Sequence, residues 1–177
     1  TVNTEAFCRA ATDYIKPGEA TLTIGNVGFT SVELNWPATS DNIGRSDNIT
    51  GGYLDIRFST FGAIPADVAW NAVPSYNRRM ISTSTIFGAA QSYTVTGLKD
   101  DTTWWFNICV GDEIPNWSSI NMAEYKAKTL DATAPGPVSD FAAVPLFSPI
   151  GREIRLTWTI PTDADYQGTL LVYSTGT

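Results

Sequence analysis

The sequence predicts an all-β chain, an antiparallel β-sandwich, on three observations. Apolar residues recur with period two: Val32, Leu34 and Trp36 share one face of a segment whose other face carries Glu33 and Asn35. Alternation of this kind marks a strand with one buried face. The alternating segments are short and are separated by Gly, Pro, Asn, Asp and Ser clusters, as in sandwiches and barrels. The pattern also occurs twice. Ser31-Val32-Glu33-Leu34-Asn35-Trp36-Pro37 is echoed by Glu153-Ile154-Arg155-Leu156-Thr157-Trp158-Thr159, with Trp158 standing 122 positions after Trp36.

Each element follows from its own residues. Leu22 and Ile24 point one way in a first strand, and Val32, Leu34 and Trp36 define the second. Leu54, Ile56 and Phe58 form the inner face of a third, against Asp55 and Arg57. Ala66-Asp67-Val68-Ala69-Trp70 reads as a short helical turn and Met80-Ile81 as a short edge strand. Tyr93 and Val95 mark a later strand closed by Gly97-Leu98. Trp104, Phe106, Ile108 and Val110 form the longest apolar face, and Ala123, Tyr125 and Ala127 the last one. The expected core anchors are Trp36, Leu98, Trp104 and Trp158.

A period of about one sandwich domain divides the chain. Residues 1–16 read as the terminal strand of a preceding repeat or an N-terminal extension. Residues 17–132 read as one complete domain. Residues 133–177 read as the opening strands (A, B and C) of a following repeat. Its third strand is expected at 168–175, where the contiguous Leu170-Leu171-Val172 leaves the register open. Lys16-Pro17-Gly18 and Ala134-Pro135-Gly136-Pro137 are the matching joints.

Composition excludes several functions. Eleven basic against eighteen acidic residues leave a net charge of −7. That repels phosphate backbones and anionic membranes, so nucleic acid is not an expected partner. No apolar run reaches the ~20 residues that span a bilayer, so no membrane insertion is expected. The first residues carry no charged start followed by an apolar stretch, so the chain reads as a mature or excised segment. There is no histidine, which removes the commonest general base and metal ligand. Two cysteines cannot make the usual zinc site. Asp100-Asp101 and the pair Asp163 and Asp165 sit in turns with no groove between carboxylates, so no catalytic residue and no enzymatic activity are expected.

The passage from Tyr93 to Ile108 resembles the E-to-F region of fibronectin type III domains: Gly97-Leu98, a short polar turn, Thr102-Thr103, then an aromatic residue. The aromatic is Trp104, where the family has the tyrosine of its corner; an indole N–H can also donate to the upstream backbone. Trp36 stands where that family has its strand-B tryptophan. Asp112-Glu113-Ile114-Pro115-Asn116-Trp117-Ser118 looks like the F–G loop of bacterial members, and Asp131-Ala132-Thr133-Ala134-Pro135-Gly136-Pro137-Val138 like their interdomain joint. The resemblance implies an immunoglobulin-like sandwich in a tandem extracellular or cell-surface bacterial protein, with neighbouring repeats or other subunits as partners. The roles it implies are a structural spacer, an adhesive module or an appendage that binds glycans.

Four sets of residues carry the sharper alternatives. Trp105, Trp117 and Trp70 are candidates for a ligand or partner contact, since alternation turns Trp105 outward; packing at loop edges is the plainer account. Cys8 and Cys109 form a disulfide if the N-terminal segment folds back onto the Cys109 face, and are otherwise separate thiols. Asp41, Asp47, Asp163 and Asp165 offer oxygens for calcium, but turn formation by Asp and Asn is preferred and no cofactor is expected. Asn48-Ile49-Thr50 and Asn116-Trp117-Ser118 fit the glycosylation pattern. Strand sharing between partial domains into an extracellular filament is the alternative role, since open sheet edges recruit strands.

Overall fold

The computed structural model describes residues 13–65, 67–114, 116–148 and 151–174, which fall into two compact units divided between Asp131 and Ala132. The first unit contains β1 (Thr23–Val27), β2 (Ser31–Pro37), β3 (Ile49–Ser59), helix α1 (Asp67–Ala72), a 3-10 turn (Ser75–Asn77), β4 (Arg78–Thr85), β5 (Ala90–Thr96), β6 (Thr103–Gly111) and β7 (Tyr125–Lys128). Two antiparallel sheets result, one ordered β1-β2-β5 and the other β4-β3-β6-β7. This is the β-sandwich that the alternation predicts, and its strand order is that of a fibronectin type III-like domain.

The core lies between the sheets. Ala20, Leu22, Val32, Leu34, Trp36, Val95 and Leu98 meet Leu54, Ile56, Phe58, Trp104, Phe106, Ile108 and Val110, all buried. Each fully buried Leu, Ile, Val or Phe contributes about 1.5–3 kcal/mol of transfer free energy. Phe58 packs edge-on to Trp104 at 5.7 Å and tilted to Phe106 at 6.4 Å. Trp36, Leu98 and Trp104 lie in this core.

The corner between β5 and β6 uses the indole. Trp104 Nε1 donates to the Lys99 carbonyl at 3.3 Å, and Thr129 Oγ1 donates to the same oxygen at 2.7 Å. Gly97 before it adopts φ +76°, a left-handed conformation open to glycine at no steric cost. Gly52 answers a close approach: a Cβ there would stand 2.3 Å from the Gly111 carbonyl oxygen, so β3 and β6 can come together only over a hydrogen.

The second unit is a two-stranded antiparallel sheet, β8 (Ser139–Ser148) and β9 (Gly151–Thr159). Trp158 is half-buried in it rather than fully enclosed. The strand expected at 168–175 is not formed over its described part, residues 168–174. In a sandwich of this topology the third strand belongs to the opposite sheet. This unit's described residues supply no neighbour in that sheet, and unpaired backbone gains nothing from extension. Both joints are anchored alike: the Gly18 N–H donates to the Ser40 carbonyl at 3.0 Å, and the Gly136 N–H to Asp163 Oδ2 at 2.9 Å. In each unit the Pro-Gly joint is thus tied to the loop that follows the second strand. No helix among the described residues is long and apolar enough to cross a membrane.

A candidate binding cleft on the outer face of one sheet

The two sheets treat their outer faces differently. On β1-β2-β5 the outward residues Glu33, Asn35 and Thr94 are partly or fully solvated, as alternation predicts. On β4-β3-β6-β7 the outward residues of β3 and β6 beyond Tyr53 are largely covered. Asp55 is 3 % exposed, Asn107 1 % and Cys109 5 %. The cover is α1 with its flanking loop on one side and residues 117–122 on the other. Ile64, Trp70 and Cys109 form a small second core there, joined by Ala69, Val73, Trp105 and Ile120.

Asn107 pins both covering segments. Its Nδ2 donates to the Ile64 carbonyl at 3.0 Å and to the Asn121 carbonyl at 2.8 Å, while its Oδ1 accepts the Ile108 N–H at 2.8 Å. A buried amide satisfied on both ends costs little and specifies one arrangement of its partners.

Charge is organised around Asp55. Register places Asp55 opposite Cys109 on β6 and Met80 on β4, and Arg57 opposite Asn107 and Arg78. Two arginines directly opposite would repel. Asp55, diagonal to Arg78, neutralises them. Arg57 donates to it through Nε at 3.2 Å and Nη2 at 2.9 Å, and Arg78 through Nε at 2.8 Å. The third arm of Arg57, Nη1, donates to the Trp70 carbonyl at 2.7 Å, and the guanidinium lies 4.3 Å from the Trp70 ring centroid. The stacked and forked geometry is one that arginine supplies and lysine does not.

These residues floor an open cleft of about 550 Å³, with α1 as one wall and residues 117–122 as the other. That volume suits a small ligand. Trp70 and Trp117 both line it, so the structure brings together two of the three tryptophans singled out by sequence. Trp70 is 7 % exposed with Arg57 over its ring, so it holds the floor and presents no free face. Trp117 is 37 % exposed, and its six-membered ring rests against Gly111, where a Cβ would stand 3.1 Å away. Trp105 is not the exposed outward residue that alternation predicts. It is half-buried beside Trp70 and Cys109, because the segment after β3 crosses the face it points to.

Cys109 also faces outward from the main core but is buried by the same cover. Burial, with Asp55 second, pushes its thiol up to about 12, so it stays protonated and unreactive. Cys8 lies outside the described residues. The Asp-rich loops serve as turns. Asp47 accepts the Asn42 N–H at 3.1 Å, which holds its carboxyl below the usual range, and Asp163 anchors Gly136. Asp165 is exposed. Asp41 lies where the β2–β3 and β6–β7 loops meet. Its Oδ1 is buried without a hydrogen-bond partner. Burial, then Glu113, Asp112, Asp13 and Asp47, raises its pKa to about 6. Among the described residues no three acidic, cysteine or histidine side chains converge as a metal site. Both glycosylation-pattern amides are engaged: Asn116 Nδ2 donates to Asp112 Oδ2 at 2.8 Å, and Asn48 Oδ1 accepts the Phe87 N–H at 2.9 Å.

Asp55, Arg57, Arg78 and Asn107 were not candidates by sequence. A signal was present in β6, whose outward residues Trp105 and Cys109 are not types that favour solvent.

No family model and no curated protein matches the chain. Solved structures similar to it include three-domain FN1-FN3 of chicken CNTN1, with 12 % identity over 65 % of this chain and 33 % of that one, TM-score 0.42. The FN5 domain of Drosophila Lar aligns at 14 % identity over 66 % of this chain and 99 % of its own, TM-score 0.37. The sensor domain of the anti-sigma factor RsgI4 of Pseudobacteroides cellulosolvens aligns at 19 % identity over 64 % and 96 %, TM-score 0.35. The structural neighbours of this chain are thus fibronectin type III and immunoglobulin-like domains, at low identity.

Proposed function

We propose that the chain is a non-catalytic structural or interaction module of an extracellular, tandem-repeat bacterial protein. The observation that carries this reading is the repeated joint. In both units a glycine after proline donates its N–H to the loop behind the second strand, at 3.0 Å for Gly18 and 2.9 Å for Gly136. Two units built on one plan, each with its first two strands paired antiparallel, are what a string of like domains produces. The covered outer face of β4-β3-β6-β7, with its cleft, is the surface that distinguishes this module from a bare spacer. The test is fractionation of the source cells with mass spectrometry of the native product. A surface or secreted chain carrying further copies of the joint is expected, and a cytosolic product without them refutes the reading.

A second reading, assembly by strand sharing, is favoured by the second unit. Phe141, Val144, Ile154 and Ile160 are each more than half exposed, and an isolated two-stranded sheet is marginally stable in water. Further strands would cover that apolar surface, and in this reading another copy supplies them. Electron microscopy at high concentration decides it: filaments support the reading and monomers alone end it.

A further inference from the structure

We propose that the cleft over β3 and β6 binds an acidic saccharide, a uronate, with Arg78 taking its carboxylate and Trp117 its ring face. The inference rests on the interaction-module reading and names the ligand class of its site.

Arg78 is prepared for the task. A guanidinium has two edges that can take a carboxylate bidentately. The Nε of Arg78 is committed to Asp55 at 2.8 Å. Among the described residues its two Nη atoms make no hydrogen bond, so that edge is available. The side chain is 38 % exposed and lines the cleft. Behind it a chain of contacts fixes the geometry. Trp70 holds Arg57 by stacking and through its carbonyl, Arg57 grips Asp55 with two nitrogens, and Asp55 grips Arg78. A donor held in place before binding loses little freedom on binding.

The surrounding charge fits a single carboxylate. The protein carries a net charge of −7, yet Arg57, Arg78 and Lys16 gather at this cleft, Lys16 bonding to Ser119 of its lining. Asp55 is buried and already paired. Asp67, exposed on the α1 wall, disfavours dianions such as phosphate and is an acceptor for sugar hydroxyls. Trp117 adds an apolar ring, backed by Gly111 and partly open to solvent. A guanidinium edge, a hydroxyl acceptor and an aromatic face around about 550 Å³ match a sugar acid better than a neutral hexose, which leaves Arg78 unmet.

The test titrates the full chain with trigalacturonate by calorimetry, with a neutral trisaccharide and an acidic tripeptide as parallel arms. Uronate binding that falls about tenfold or more in Arg78→Gln and in Trp117→Ala is expected, a charge-assisted pair being worth at least that. Thermal unfolding checks that each variant folds. If Arg78→Gln does not fold, Asn71→Trp, which narrows the cleft from an exposed helix position, takes its place. Equal binding of the neutral trisaccharide or of the peptide overturns the assignment, as does uronate binding indifferent to these variants. No binding in any arm also overturns it. That outcome leaves the module reading to stand or fall on the cellular location of the native product.

Discussion

Asp55→Ala removes the one carboxylate that separates two guanidiniums, and its cost can be worked from exposure. The Asp55 side chain is 4 % exposed, Arg57 12 % and Arg78 38 %. Arg57 is too enclosed to recover its hydration when its partner goes, so it is left as a buried, uncompensated cation facing Arg78 across the strands. Losing one partner of a buried pair costs about 3–5 kcal/mol. Arg78→Ala should cost only about 1 kcal/mol, since Arg78 is a third exposed and Asp55 keeps both bonds from Arg57. Removing both buried charges together, in Asp55→Leu with Arg57→Met, should recover most of the loss, because apolar replacement of a buried pair is often close to neutral. Urea unfolding followed by tryptophan fluorescence reads this unit selectively, since five of the six tryptophans belong to it. An Asp55→Ala cost under about 1 kcal/mol, or one equal to that of Arg78→Ala, would refute the argument that burial sets the magnitude.

Three further outcomes are expected. Asp41 has a folded pKa of about 6 against 3.8 in the open chain, so it holds its proton longer when folded. Stability is therefore highest below about pH 4 for this group, falls as pH rises through about 6, and stays reduced above it. Asp41→Asn should abolish that slope and raise stability at pH 7.5 by about 1 kcal/mol, the full linkage of about 3 kcal/mol being discounted for solvent contact; melting temperature against pH for both proteins checks it. Trp104→Phe keeps the apolar contact with Phe58 but drops the bond to the Lys99 carbonyl, costing about 1–2 kcal/mol in equilibrium unfolding. Gly52→Ala drives a methyl into the Gly111 carbonyl and should destabilise by more than about 2 kcal/mol, whereas Gly88→Ala, with open space but φ +77°, should cost about 1 kcal/mol.

The sandwich was legible because one rule governs it. Residues such as Leu34, Ile56 and Phe106 alternate with polar neighbours, and a strand between two sheets has only one face to bury. The corner was legible too, in that the Trp104 indole N–H donates to the upstream Lys99 carbonyl. The cleft was not, because its parts obey no single period. Asp55 and Arg57 read as solvated residues on the outer face of β3, and nothing local says that α1 and residues 117–122 lie over them. Those segments carry no alternation, and their position depends on Asn107, whose partners Ile64 and Asn121 stand 43 and 14 residues away. Trp105 was misplaced for the same reason. The strand expected at 168–175 is absent from its described residues 168–174 for a different reason: its apolar residues fit a strand, but a strand needs a neighbour, and composition does not supply one.

The covered face also explains how this domain can carry a cleft without loosening its core. Had the cleft been cut between the sheets, each lining residue would have come out of the packing that Leu34, Ile56 and Phe106 provide. Placed on the outside of β4-β3-β6-β7, it draws on residues that the main core does not use. Arg57 and Asp55 point away from that core by the pleat, and Trp70 comes from a connection that the fold leaves free in length. Substitutions at Arg78 or Trp117 should then weaken the proposed uronate binding while leaving the sandwich intact. Substitutions at Asp55 or Asn107 should disturb both, because those two tie the outer layer to the sheet beneath it.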